Sequence, residues 1–408
     1  MKILMINQPI GNRGDESAHK GLLRRILSVY KNATITVLFC HQDNKSINSF
    51  KLENNRVSYI NIPRYHMYEM VYKYGLKYRF YGIWYLHPTT RTLLSYFKSC
   101  DFVINAPGGI CMGGFQVWEH LMFLEMAQLY KKDIYYYGRS FGPFPTLSKD
   151  NIIFKELSIG FLKSFKFLSI RDSKTEIIAK DLKINYVPTV DSAFLDSVSC
   201  SIPSELDFIS KGNYMVFVPN SLVWHYAYKS ITSKEKVISF YSTIIKMIGE
   251  KYRDYYIVML PQLFNSTNGD YDFFKEIMSI HKDNKIVVLK ENYSSDIQQM
   301  IIKNASFVIG ARYHSIVFSI NQNTPFIALS YEHKIEGLLQ KLGFEDNMVK
   351  INDIWNSKQS QNDCLKKVQE KLYNIENQKV KNERAKFIAN RCFYDFCETI
   401  NKCHYGMV

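Results

Sequence analysis

The sequence has no long apolar run and no paired-cysteine motif. We find no stretch of about 18 uncharged apolar residues. The opening MKILMINQPIGNRGDE lacks the apolar core and cleavage signal of a leader peptide, and it reads as a first β-strand. None of the eight cysteines forms a CxxC pair, and Cys392, Cys397 and Cys403, beside His404, are spaced more loosely than zinc ligands. We therefore predict a cytoplasmic protein with reduced thiols, no transmembrane helix and no metal.

Acidic residues are fewer than basic ones, at 38 Asp and Glu against 52 Lys and Arg, which gives a formal net charge of +14. Such a surface favours anionic partners: nucleic acid, anionic lipid, or phosphorylated and acidic substrates. A bacterial composition rich in Lys, Asn and Ile is the alternative explanation. The hydrophobic share of 46% excludes a disordered or fibrous chain, and 408 residues are enough for two domains.

Short apolar β-rich runs alternate with amphipathic helical patterns along the whole chain. This alternation predicts an α/β fold with two doubly wound, Rossmann-like domains facing a cleft. We expect an N-terminal domain at 1–195, a polar linker at 196–213, a C-terminal domain at 214–360, and a helical segment at 361–408 that packs back on the first domain. The predicted strands are Lys2–Ile6, Thr34–Phe39, Phe102–Ala106, Ile134–Tyr137, Phe167–Ile170, Tyr214–Pro219, Tyr255–Leu260, Lys285–Leu289, Phe307–Gly310 and Pro325–Leu329.

Ligands of such folds bind at the carboxyl ends of the strands, and the strongest local signal lies at one of these ends. Gly310-Ala311-Arg312-Tyr313-His314-Ser315 joins a predicted strand to a helix start, where free backbone N–H groups favour an anion. Arg312 adds a planar fork that suits carboxylate or phosphate, and His314 adds a proton donor near neutral pH. The alternative is that Arg312 forms a salt bridge to the other domain and His314 caps a helix.

Other strand ends carry weaker candidates. Arg171 follows the strand Phe167–Ile170 and suits either a second anion clamp or a local ion pair with Asp172. Asp191 suits a turn or a catalytic position. Lys334 suits either a phosphate contact or a solvated helix face.

Glycine turns follow three predicted strands of the first half. They are Asn12-Arg13-Gly14-Asp15, Pro107-Gly108-Gly109 and Ser140-Phe141-Gly142-Pro143. None is a G-x-G-x-x-G or Walker A loop, so a dinucleotide or P-loop site is not indicated. Asp15 is a candidate base or sugar-hydroxyl ligand, and an acidic start of the helix predicted from Asp15 to Val29 is the alternative.

A segment rich in aromatic and basic residues runs from Arg64 to Lys98. Nine aromatic residues lie between Tyr65 and Tyr85, and the whole segment has six Lys or Arg and one acidic residue, Glu69. This composition fits an anionic membrane surface or a lipid-linked substrate. Nucleic acid, which we do not favour as a partner, and a plain crossover helix with its rings packed inward are the alternatives.

Taken in order, these motifs resemble the polysaccharide pyruvyl transferase family, from Asn12-x-Gly14-Asp15 to the helix that carries Lys334. The intervening matches are Asn105-Ala106-Pro107-Gly108-Gly109, Tyr137-Gly138-Arg139-Ser140-Phe141-Gly142-Pro143, Arg171-Asp172, Asp191-Ser192-Ala193 and the turn at Gly310–Ser315. The resemblance implies a GT-B-like fold. It also implies transfer of the enolpyruvyl carbons of phosphoenolpyruvate to two hydroxyls of a sugar, giving a cyclic ketal and phosphate, with no cofactor and no metal.

On this resemblance, His314 is the expected acid that protonates the donor's methylene carbon, and the alternative role for His314 is only to bind the donor phosphate. Asp15 is the expected ligand or base for the acceptor hydroxyl. The remaining candidates are, for the donor, Arg171, Arg312, Ser315 and Lys334, and, for the acceptor side, Asn12, Gly14, Gly108, Gly109, Ser140 and Asp191. The expected acceptor is a capsule or exopolysaccharide precursor. A lipid-linked saccharide at the inner face of the cytoplasmic membrane would be such a precursor. Two alternatives stay open: a nucleotide-sugar glycosyltransferase of the same fold, and a non-catalytic protein bound to the membrane surface.

Overall fold

A computed structural model of the chain describes residues 1–109, 112–207, 209, 213–225, 228, 230–264, 269–281, 285–290 and 293–405. Its contacts divide the chain into two compact units. Unit 1 consists of Met1–Ile10, Ala18–Asp196 and Phe387–Val408, and unit 2 consists of Gly11–Ser17 and Ser197–Lys386. Each unit contains one parallel β-sheet with helical crossovers.

Unit 1 contains a seven-stranded sheet in the order β3-β2-β1-β4-β5-β6-β7. Its strands are β1 (Lys2–Ile6), β2 (Thr34–Cys40), β3 (Val57–Ile62), β4 (Phe102–Asn105), β5 (Ile134–Tyr136), β6 (Phe167–Ile170) and β7 (Val187–Pro188). The helices between them are α1 (Arg13–Val29), α2 (Asn44–Phe50), α3 (Tyr68–Tyr78), α4 (Gly82–Leu86), α5 (Pro88–Ser99), α6 (Trp118–Leu129), α7 (Lys149–Ser164) and α8 (Ser173–Asp181).

Unit 2 contains a six-stranded sheet in the order β10-β9-β8-β11-β12-β13. Its strands are β8 (Tyr214–Val218), β9 (Tyr256–Met259), β10 (Ile286–Val288), β11 (Val308–Gly310), β12 (Phe326–Ser330) and β13 (Met348–Lys350). Its helices are α9 (Lys234–Lys251), α10 (Asp270–Ile280), α11 (Ser295–Lys303), α12 (Tyr313–Asn321), α13 (His333–Leu342) and α14 (Lys358–Tyr373). Gly310 pairs with Val218 on one side and Ala328 on the other, so β11 ends in the middle of the sheet.

Alternating side chains of each central strand supply both faces of the first sheet, as the two-residue period of a strand requires. Leu4 lies in a core cluster with α3 and α6, whereas Met5 lies in a second cluster on the other face. The last helix, α15 (Glu383–Tyr405), contributes Phe396 to this second cluster, so the expected packing of a C-terminal helix on the first sheet is confirmed.

The ten predicted strands and the α/β fold with doubly wound sheets are confirmed. The division into units differs from the predicted one at three places. Residues 11–17 cluster with unit 2 instead of the N-terminal domain, residues 197–213 belong to unit 2 instead of forming a separate linker, and the C-terminal segment is shared, with 361–386 in unit 2 and 387–408 in unit 1. None of the helices in the described part of the chain has the length and apolar character needed to cross a membrane.

Candidate functional site

The turn from β11 into α12 is built on a glycine and a serine. A Cβ on Gly310 would lie 2.1 Å from Ser315 Oγ, so only glycine lets the helix begin this close to the strand. Ser315 donates from its backbone N and from Oγ to the carbonyl oxygen of Arg312, at 3.1 and 2.6 Å. The hydroxyl predicted to bind the donor therefore stabilises the helix start in this structure.

Arg312, the residue before α12, forms an ion pair with Asp270 at the start of α10. Asp270 Oδ2 also accepts hydrogen bonds from the backbone N atoms of Gln262 and Leu263, at 3.0 and 2.9 Å. Burial alone would lower the pKa of Arg312, but the Asp270 carboxylate outweighs it and raises that pKa. Arg312 Nε is buried and has no hydrogen-bond acceptor among the residues that the structure describes. The guanidinium is thus fixed by Asp270 and keeps one donor unused.

His314 lies against the start of α1, whose first residues belong to the same unit. A Cβ on Gly14 would lie 1.8 Å from Cγ and Nδ1 of the His314 ring, so the imidazole occupies the space that a side chain at position 14 would need. His314 is buried, and its ring also contacts Tyr313 and Phe318, with centroids 5.0 and 6.3 Å away. Packing on several sides holds the ring in one place, at the starts of two helices.

The first turn of α1 is anchored in unit 2 by polar contacts. Asn12 Oδ1 accepts from Gly14 N at 2.7 Å, so the predicted acceptor residue Asn12 serves the start of the helix. Arg13 and Glu16 form a buried ion pair at 2.6 Å, and Glu16 Oε1 accepts from Ser295 N at 3.1 Å. Asp15 is half-buried in this same turn, next in sequence to the glycine that contacts His314.

Two titratable side chains lie near the end of β12. One is Lys334, and the other is His225, which was not predicted from the sequence. Lys334 Nζ is 3.7 Å from Glu332 Oε1, and its side chain is 25% exposed. His225, in the segment after β8, packs edge-on against Tyr331 with ring centroids 5.8 Å apart. Burial lowers the pKa of His225, the Glu332 carboxylate opposes that shift, and Lys334 reinforces it. The only available signal was that His225 follows a strand, like the other candidates.

In unit 1, Arg171 forms a buried ion pair with Asp191, whereas sequence reasoning offered Asp172 as its structural partner. The two side chains are 5% and 0% exposed. Asp191 also accepts from Ala193 N at 3.0 Å, which caps a short 3-10 helix at Ser192–Leu195. These contacts give both residues a structural role in unit 1.

Ser140 and Asp172 form a second buried pair in unit 1. Ser140 Oγ donates to Asp172 at 2.6 Å, and Thr175 donates to the same carboxylate from its backbone N and its hydroxyl, at 2.9 and 2.8 Å. Burial would raise the pKa of Asp172, but these hydrogen bonds outweigh it and lower that pKa. The Ser140 hydroxyl is therefore occupied in a hydrogen bond to Asp172, the residue that caps α8.

The glycine loop after β4 keeps open space. Gly108 has a φ of +144°, which favours glycine, and it pairs with Arg139 through an isolated parallel bridge. No atom of the described residues lies within 4 Å of a Cβ built on Gly109, which fits the expected close approach of a ligand. No group of three His, Cys, Asp or Glu side chains suited to a metal ion occurs within the described ranges.

The chain is similar to known proteins in sequence and in fold. A family model described as polysaccharide pyruvyl transferase matches residues 12–333. The amylovoran biosynthesis protein AmsJ of Erwinia amylovora is 24% identical over 272 residues, which is 61% of this chain and 61% of that protein. The UDP-GlcNAc 2-epimerase of Neisseria meningitidis, solved with UDP-GlcNAc, superposes with a TM-score of 0.58 at 10% identity, over 98% of this chain and 100% of that one. The UDP-GlcNAc 2-epimerase of Methanocaldococcus jannaschii gives 0.58 at 14% identity, with the same coverage. At such identities these structures establish the expected GT-B-like fold alone.

Proposed function

Because this chain belongs to the polysaccharide pyruvyl transferase family, we propose that it transfers pyruvate from phosphoenolpyruvate to two hydroxyls of a sugar in a polysaccharide precursor, forming a cyclic ketal and releasing phosphate. The observation that carries this proposal is the placement of a buried imidazole, His314, against the start of α1 and beside Arg312 in unit 2. An acid and a fixed cation next to helix N-termini suit a small donor with two anionic groups.

The donor carries a carboxylate and a phosphate, which need several cationic or N–H contacts. Arg312 keeps its unused Nε–H, and the start of α12 adds backbone N–H groups. Lys334 is held only loosely by Glu332 and supplies a movable charge. The assignment of Arg171 to the donor receives no support from its contacts, because Asp191 already neutralises it.

The proposed reaction begins with a proton from His314 to the methylene carbon of phosphoenolpyruvate, which becomes the methyl group. The neighbouring carbon becomes oxocarbenium-like, and one sugar hydroxyl adds to it and loses its proton. The C–O bond to phosphate then breaks, and phosphate leaves with the bonding electron pair. A second hydroxyl adds to the same carbon and loses its proton, so that one released proton restores His314 and the other accompanies phosphate. The proposed acceptor of a hydroxyl proton is Asp15, in the first turn of α1.

The direct test is ligand-induced thermal stabilisation by phosphoenolpyruvate beside a panel of nucleotide sugars. A ligand at 100 times its dissociation constant adds about 2.7 kcal/mol to the free energy of unfolding, which is a measurable shift. We expect phosphoenolpyruvate to stabilise the wild type and to lose this effect in Lys334→Gln and Arg312→Lys. Arg312→Lys keeps a cation for Asp270, whereas Arg312→Ala would leave that carboxylate buried without its partner.

Lys366→Gln is the matched control, because Lys366 is an exposed lysine of α14 with no proposed role. It should respond to phosphoenolpyruvate like the wild type. Stabilisation by a nucleotide sugar, with no response to phosphoenolpyruvate, would replace this proposal by the glycosyltransferase alternative.

A further inference from the structure

Helix α3 carries large apolar side chains on two faces, of which only one is packed. Tyr68, Tyr72 and Leu76, at a spacing of four residues, are buried in the core of unit 1. Met70, Tyr74 and Tyr78 repeat the same spacing two positions later and are 56%, 46% and 67% exposed. A surface helix normally has polar residues on its outer face, so this second apolar face is unusual.

Neighbouring side chains extend the exposed face. The rings of Tyr74 and Tyr78 have centroids 4.6 Å apart, and Phe80 meets Tyr74 edge-on at 6.5 Å. Met67 and Phe80 are 50% and 58% exposed. We call the set formed by Met67, Met70, Tyr74, Tyr78 and Phe80 the outer α3 surface.

The inner side of the helix is firmly held. A Cβ on Gly75 would lie 2.2 Å from Trp84 Nε1, so this glycine admits the buried Trp84 ring against the helix. The hydroxyl of Tyr68 donates to Glu119 at 2.9 Å. Because the helix is anchored in this way, its outer residues stay at the surface instead of rotating inward.

On α3 and directly after it, three basic residues, Lys73, Lys77 and Arg79, outnumber one acidic residue, Glu69. Lys73 and Lys77 lie on α3 and pair with Glu69 and Asp150, and Arg79, directly after the helix, is exposed. The segment from Arg64 to Lys98 contains six Lys or Arg and one acidic residue. A helix with an apolar outer face, interfacial tyrosines and flanking basic residues has the composition of an element that lies in the headgroup layer of an anionic bilayer.

From this geometry we infer that the outer α3 surface docks the protein on an anionic membrane. Phe80 and the two methionines enter the acyl boundary, the Tyr74 and Tyr78 hydroxyls stay at headgroup level, and Lys and Arg side chains contact anionic headgroups. The inference goes beyond the proposed reaction and does not depend on the donor. A lipid-linked saccharide acceptor would be concentrated at such a surface.

The test is sedimentation of the full chain with vesicles of phosphatidylcholine alone or mixed with phosphatidylglycerol. The test variant is Met70→Ser/Tyr74→Ser/Tyr78→Ser. The control is Phe387→Ser/Tyr394→Ser, which removes two residues of α15 that are each 66% exposed, on the helix that packs on the other face of the sheet. We expect the wild type and the control to bind the mixed vesicles, and the test variant to bind about tenfold more weakly.

The remaining outcomes overturn the inference. If the test variant binds the mixed vesicles as tightly as the wild type does, another surface contacts the lipid. Absence of wild-type binding to the mixed vesicles would remove the membrane as the partner. If the wild type binds a single-stranded oligonucleotide but no lipid, and the test variant loses that binding, nucleic acid replaces the membrane as the partner. If the wild type forms dimers without binding lipid, and the test variant does not, the partner is a second copy of the chain.

Discussion

The Gly14→Ala substitution tests the importance of the position of the His314 ring more directly than a substitution of His314 itself. Gly14 is the second residue of α1, and its φ does not require glycine. On helix propensity alone, Gly14→Ala would stabilise the chain by up to about 1 kcal/mol. The new methyl group, however, would lie 1.8 Å from Cγ and Nδ1 of His314, far inside van der Waals contact.

The buried ring must therefore move, or α1 must shift. Overpacking of this kind costs about 1–3 kcal/mol of stability. Because the gain in helix propensity offsets part of this cost, we expect the free energy of unfolding to decrease slightly to moderately. The effect on catalysis should be larger. Displacing a proton donor by about 1 Å costs roughly a hundredfold in rate, which corresponds to about 2.7 kcal/mol in the activation barrier. We expect kcat for pyruvyl transfer to fall by about that factor, while the protein stays folded.

Two further variants isolate the cause. Gly160→Ala, in α7, adds the same methyl group at a place where no atom of the described part of the chain lies within 4 Å, so it should be neutral or stabilising and keep full activity. In the background of His314→Ala, Gly14→Ala should lose its destabilising effect, because the ring that it meets is gone. Activity of Gly14→Ala within a few-fold of the wild type would refute the reasoning that the position of the His314 ring matters.

Two predictions concern the buried pairs of unit 1. Asp191→Asn should lower the free energy of unfolding by up to about 3–5 kcal/mol in urea titrations because it removes the buried carboxylate that pairs with Arg171, and Arg171→Met/Asp191→Asn should recover much of that loss; equal stability of the two variants would contradict a pair-specific cost. Because the folded-state pKa of Asp172 is lowered, its contribution is fully present above its unfolded pKa of about 3.9 and is lost as the pH falls through the folded value. The stability gap between wild type and Asp172→Asn should therefore narrow below about pH 4 in urea titrations at several pH values, and a constant gap would rule out this linkage.

The central strands of both sheets were predictable from sequence, whereas three of the four edge strands were not; the fourth edge strand, β10, was predicted. β1 and β8 are short apolar runs buried on both faces, which is the signal that parallel sheets produce. The three strands that were missed are β3, β7 and β13, and each lies at an edge of its sheet. β3 is mostly half-buried, and β7 has two residues, one of them proline, so neither produces a continuous apolar run.

The local geometry of the candidate site was predictable because its residues are neighbours in sequence. Glycine, Arg312 and His314 follow one strand, and the structure keeps them at one helix start. Asp270, which fixes Arg312, lies 42 residues away and begins a different helix, so no local pattern indicated it. In the same way, nothing near Asn12 in the sequence indicated that residues 11–17 would cluster with unit 2, because that depends on contacts with residues more than two hundred positions later.

Three cationic side chains were predicted from the sequence to bind one anionic donor, and in the structure each of them lies next to a carboxylate. Arg171 faces Asp191 with its side chain 5% exposed, so a ligand would have to break a buried pair to use it. Arg312 faces Asp270, but its Nε–H has no acceptor within the ranges that the structure describes. Lys334 is 25% exposed and 3.7 Å from its carboxylate, which is the loosest of the three pairs. Since a cation that a buried carboxylate has already neutralised attracts an anion weakly, donor affinity should depend mainly on the charge of Lys334, and Arg312 should contribute through its Nε–H.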